Sequence, residues 1–110
     1  MTKNFLIKVG NLKQLADGRG SCQASDRITV EGRPVGFMYR EEPDHRHDSG
    51  SRFLAGDEDD DYMSDAAHFE LYDVNTIANY DADVIPLLDA PAGSAFIHDP
   101  VSNGLVPDDA

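Results

Sequence analysis

Five consecutive acids, Asp57-Glu58-Asp59-Asp60-Asp61, form the densest run of ionisable side chains in this sequence. Oxygen-rich clusters of this kind hold hard cations, poise general acids and bases, or present charge to a partner. Asp57, Asp59, Asp61 and Asp65 match the alternating carboxylates of a calcium loop, but Tyr62 stands where such a loop needs glycine and His68 where it needs a closing glutamate. The spacing therefore supports at most weak binding of a cation, and no cofactor or metal site is assigned. Asp44-His45-Arg46-His47-Asp48 gathers two imidazoles and two carboxylates. Histidines two apart point to opposite sides of an extended chain, however, and Arg46 between them repels a cation. Cys22 alternates with Ala24 as a buried strand residue would, and Ser49 and Ser51 lack the setting of a nucleophile elbow. Asp17-Gly18-Arg19-Gly20-Ser21 lacks the Gly-Lys-Ser/Thr ending of a phosphate loop. No catalytic residues are assigned, and the expectation is a binding protein rather than an enzyme.

The charge distribution says what kind of partner to expect. Every lysine and arginine lies at or before Arg52. Residues 1 to 56 carry nine basic and seven acidic side chains, and residues 57 to 110 carry fourteen acids with neither Lys nor Arg. These halves, at +2 and −14, make up the formal net charge of −12. Such a field repels nucleic acid and anionic membranes and draws in basic proteins. A charge run by itself reads as a solvated face. This one follows a predicted strand and is flanked by Phe53, Tyr62 and Met63, with Tyr80 further along. Apolar anchors ringed by charge are the anatomy of a protein interface. The candidate partner-binding residues are therefore Phe53, Asp57, Glu58, Asp59, Asp60, Asp61, Tyr62, Met63 and Tyr80. The chain's oligomeric state is not legible.

The elements that must position these residues follow from periodicity. The 110 residues suffice for one domain. The apolar run Phe5 to Ile7 is too short for a secretory signal, no segment approaches the ~18 apolar residues of a membrane span, and a lone cysteine fits a reducing compartment. A cytoplasmic protein is expected. Alternation predicts a strand over residues 5–9, and Asn11, Leu12 and Leu15 predict a short capped helix. Cys22, Ala24, Ile28 and Val30, then Val35, Phe37 and Tyr39 across Glu31-Gly32-Arg33-Pro34, predict a hairpin. Residues 41–51 read as a surface loop and Arg52 to Leu54 as a third strand. Residues 69–74 read as another strand, 75–80 as one or two helical turns, 84–88 as a short helix or bend around Pro86, and 94–97 as the last strand. The resulting fold class is α+β, a small mostly antiparallel sheet with two or three short helices. One domain is expected over residues 1–97, with a flexible acidic tail over 98–110.

Three ordered blocks carry a resemblance: SDRITVEGRPVGFMYREEPD at 25 to 44, DSGSRFLAGDEDDDYM at 48 to 63, and YDVNTIANYDADVIPLLDAPAGSAF at 72 to 96. Together they resemble the DUF2185 family, small bacterial proteins also grouped as Imm33-type immunity proteins of polymorphic toxin systems. That family usually has tryptophan where this chain has Ser51. The resemblance implies a non-enzymatic protein that binds and neutralises a cognate toxin, and it brings no catalytic residues with it. Many toxins that attack nucleic acids are basic, so an acidic inhibitor suits that role. The alternatives are a small acidic structural or regulatory domain of a housekeeping complex, or a weak calcium-responsive module.

Overall fold

The computed structural model describes residues 5–7, 9–16 and 18–108. Ser21–Ser25 form β1, and the first surprise comes where it ends. Ser25 caps a helical turn, α1 (Asp26–Thr29), its hydroxyl accepting from the Arg27 amide at 3.1 Å. Gly32, at a φ of 81°, closes that turn as its amide and that of Arg33 bond back to the carbonyls of Ile28 and Arg27. Ile28 and Thr29 are thus buried from a helix, and the expected hairpin across residues 31–34 does not form. The Ser-Asp capping signal outweighs the alternation that suggested a strand.

Phe37–Arg40 (β2) pairs instead with Asp48–Leu54 (β3), antiparallel, with Met38 opposite Phe53 and Arg40 opposite Ser51. The last four residues of the expected 41–51 loop therefore belong to β3. The chain continues through α2 (Asp60–Met63), β4 (Phe69–Asp73), α3 (Val74–Tyr80), a 3-10 stretch over Ala82–Leu87 containing Pro86, β5 (Ala95–Asp99) and β6 (Gly104–Pro107). The expectations for residues 69–74, 75–80, 84–88 and 94–97 match these elements. The expected tail does not: β6 pairs antiparallel with β5, Ile97 opposite Val106. Scattered Val and Leu among turn residues concealed a short edge strand. At the other end, Phe5–Ile7 are irregular, Lys8 lies outside the described residues, and a 3-10 turn at Val9–Asn11 replaces the predicted capped helix.

The six strands form one sheet in the order β4-β1-β3-β2-β5-β6. All pairs are antiparallel except β1 with β3, which run parallel, so the α+β expectation holds with a mixed rather than purely antiparallel sheet. Cross-strand partners share a face. Cys22, Ala24, Met38, Phe53 and Phe96 face α1, α3 and the 82–87 stretch, and form the core with Ile28, Val74, Ile77 and Val84. Burying a side chain such as Phe53 or Ile28 contributes about 1.5–3 kcal/mol. No described helix is long and apolar enough to cross a membrane.

Candidate interaction surface

The acidic run begins three residues after the end of β3, and the fold puts its members to different uses. Asp57 receives the guanidinium of Arg27 at 2.8 Å and that of Arg33, both from the α1 region. The Arg27 hydrogen bond, reinforced by the charge of Arg33, holds its carboxyl below the usual aspartate range. Glu58 folds back to accept the amides of Ala55 at 2.8 Å and Gly56 at 2.9 Å. Burial opposes its ionisation, but these amides and Ser25 outweigh burial, and its carboxyl also lies below the ordinary value. Asp59 caps α2, accepting from the Tyr62 amide at 2.8 Å. Asp60 and Asp61 alone of the five stand exposed with neither an arginine partner nor a backbone amide on their carboxylates among the described residues.

The same division runs through the acidic half. Asp65, Asp73, Asp81 and Asp99 accept backbone amides at turns or helix starts, and Asp89 pairs with Arg19. A carboxylate that accepts an amide keeps its charge, whereas one paired with arginine largely loses it from the long-range field. The acidity is therefore partly architectural, but much of the negative field survives. The segregation of charge along the sequence is also partly undone in space, because Arg19, Arg27 and Arg33 reach across to Asp89 and Asp57.

The expected apolar anchors separate in the same way. Phe53 is 1% exposed and faces the core, so it presents nothing to a partner: successive residues of β3 alternate between faces, and Arg52 takes the outer one. Tyr62 is held between the Arg27 guanidinium, 4.3 Å from its ring centroid, and the His68 imidazole, stacked at 4.0 Å. Tyr80 lies on α3 in the helical layer, where its hydroxyl accepts from the Ile7 amide at 3.0 Å, away from the acidic run. Met63, on α2, is the one member of this group that is substantially exposed.

Sequence reasoning missed a buried polar hub. Arg52 forms a two-pronged pair with Asp48, Nη1 to Oδ1 at 2.9 Å and Nη2 to Oδ2 at 2.8 Å, while its Nε donates to Glu41 at 3.1 Å. Asp48 also accepts the amides of Asp44 and Gly50, each at 2.9 Å. The Arg52 hydrogen bond, helped by these amides against the opposing effect of burial, pulls the Asp48 carboxyl far below its usual range. Gly50 makes the arrangement possible: at a φ of 83° its missing Cβ would lie 2.3 Å from the Glu41 carbonyl oxygen. The signal was an Asp and an Arg four apart around a glycine, which a loop reading discarded. Ser51 is fully buried and accepts from Arg40 Nη1 at 2.8 Å, beside a cavity of about 240 Å³. Position 51 thus faces the interior, and an aromatic there would pack the fold rather than the surface.

The nucleophile and metal motifs are also placed. Cys22 is fully buried, and burial, with Asp73 nearby, pushes its thiol up to about 12. His45 and His47 have ring centroids 6.4 Å apart in an exposed loop. Asp57, Asp59 and Asp65 of the calcium-like spacing are each turned to an internal partner, and among the described residues no group of three or more His, Cys, Asp or Glu converges as a cage.

A family model described as the immunity protein Imm33 domain matches residues 22–104, from β1 to the start of β6. No curated protein and no solved structure matches the chain.

Proposed function

The chain belongs to the Imm33 immunity protein domain family, and from that membership we propose that it binds and neutralises a cognate, basic bacterial toxin domain through an acidic surface. A toxin-immunity role requires a protein partner. The observation that carries the finer reading is charge: fourteen acids and no Lys or Arg from residue 57 onward. Asp60 and Asp61 are the members of the acidic run best disposed to meet a partner's cations, while Asp57 serves the fold. Complementary fields raise capture rates well above the ~10⁵–10⁶ M⁻¹s⁻¹ of uncharged pairs at low salt, which suits a protein that must intercept a toxin before it acts. The role is binding without chemistry, in the cytoplasm.

The test is stopped-flow association with the product of the gene adjacent to this one, taken as the candidate toxin. Asp60→Asn with Asp61→Asn slows association and flattens its salt dependence. A toxin domain that does not bind, or one whose association ignores salt, overturns the reading.

A further inference from the structure

The two faces of the sheet are used unequally. One carries α1, α3 and the 82–87 stretch, and among the described residues the other carries the short α2 segment and the 3-10 turn at Ala66–His68, at one end. On this open face the register sets Gln23, Arg52 and Tyr39 side by side across β1, β3 and β2, with Leu71 of β4 beside Gln23. One step along, Leu54, Phe37 and Ile97 line up across β3, β2 and β5. Two grooves open here, of about 440 and 230 Å³, and they share Leu54 and Met63 as common walls. Leu71 is 64% exposed, Ile97 45% and Met63 42%. They are half of the six large hydrophobic side chains so exposed among the described residues, and they fall on one face. Leu54 and Met63 join the groove that Leu71 lines to the one that Ile97 lines, and exposed apolar surface joined in this way marks an interaction site, whereas scattered residues do not.

Charge says what covers it. Among the described residues Arg52 is the only Lys or Arg lining either groove, and Asp48 and Glu41 occupy its N–H edges. Glu58 and Glu70 line the grooves, and Asp60 and Asp61 stand on the helix that carries Met63. A second copy of this chain laid on the same face would bring acidic rims together. A partner whose protruding apolar side chains are ringed by Lys and Arg meets both surfaces favourably.

We infer that this open face is the docking surface for the basic toxin, with Leu71, Ile97 and Met63 as its desolvated anchors and Asp60 and Asp61 as its steering rim. The inference rests on the immunity reading and assigns a site to it. The rim sets the rate of encounter and the apolar floor sets residence time.

Leu71→Ser and Ile97→Ser, both at exposed positions, and Val101→Ser at the 93%-exposed turn between β5 and β6 supply the experiment. Surface plasmon resonance against the product of the adjacent gene, taken as the candidate toxin, shows dissociation at least ~10-fold faster for the Leu71 and Ile97 variants, with association little changed and Val101→Ser unaffected. Thermal unfolding of the variants matches the parent. If the parent does not bind, the immunity reading fails. If the parent binds and the groove variants dissociate as slowly as it does, that reading stands and this surface is wrong. Sedimentation of the free protein closes the remaining route, since a dimer dissolved by Leu71→Ser assigns the face to a second copy and overturns the inference.

Discussion

Replacing Asp48 by Asn tests whether the polar hub on β3 holds the sheet together. Its side chain is 6% exposed and that of Arg52 is 7%, so both charges lie out of water and each depends on the other. Removing one partner of such a pair costs about 3–5 kcal/mol, because the survivor stays buried and uncompensated. Glu41, 3.1 Å from Arg52 and half exposed, offers partial relief, which places the expected loss near the lower bound, about 3 kcal/mol. With a urea slope of about 1.5 kcal/mol per molar, the midpoint falls by about 2 M. Thermal scans show a fall of roughly 12–24 °C at about 4–8 °C per kcal/mol. The pH dependence adds a second constraint. The folded carboxyl is held below its unfolded value of about 3.9, so its stabilisation is fully present above that value and is lost as pH falls toward the folded one. Asp48→Asn therefore removes part of the acid-dependent loss of stability that the parent shows below about pH 4. Asp48→Leu combined with Arg52→Met is less destabilised than Asp48→Asn alone, since neither charge is then buried. A loss under about 1 kcal/mol for Asp48→Asn, the range of an exposed pair, refutes the argument.

Other outcomes follow from the same geometry. Gly50→Ala forces a Cβ against the Glu41 carbonyl at a positive φ and costs at least about 1–3 kcal/mol in urea denaturation, and an unchanged midpoint contradicts the placement. Cys22 resists a disulfide thiol probe at pH 8 in the native state and reacts only on unfolding, because its thiol is buried and titrates at about 12; rapid native labelling refutes this. Truncation after Asp99 removes β6 and uncovers Phe96 and the edge of β5, lowering stability measurably by chemical denaturation. Equal stability of the truncated chain shows that β6 contributes little.

Particular residues show what the sequence made legible. Phe69 to Asp73 and Val74 to Tyr80 were readable because a strand alternation gives way at Asp73 to a capped helical spacing, all within a dozen residues. The first hairpin was misread because Ile28 and Val30 satisfy period two, while the Ser25 cap that bends the chain into α1 is a single side chain. The parallel partnership of β1 with β3 leaves no local mark, since it joins residues 21–24 to 48–53. The acidic run was legible as charge but not as five separate roles, because Asp57 meets Arg27 from a segment 30 residues away, while Glu58 and Asp59 turn to amides within three residues of themselves. The open face was hidden for the same reason. Leu71 and Ile97 lie in β4 and β5, which have three strands between them in the sheet, and only the strand order brings them to one side.

That strand order has a consequence for the timing of protection. β4 forms one border of the sheet and β6 the other, and the grooved side is assembled from residues spread along the chain from Gln23 to Ile97. Its central partnership waits for β3, and its far wall waits for Ile97 of β5. Sheets built from distant partners fold in about milliseconds to seconds, and no fragment that stops short of β5 carries the whole grooved surface. On the proposed immunity role, protection comes from finished copies, and a toxin is met from stock rather than by fresh synthesis.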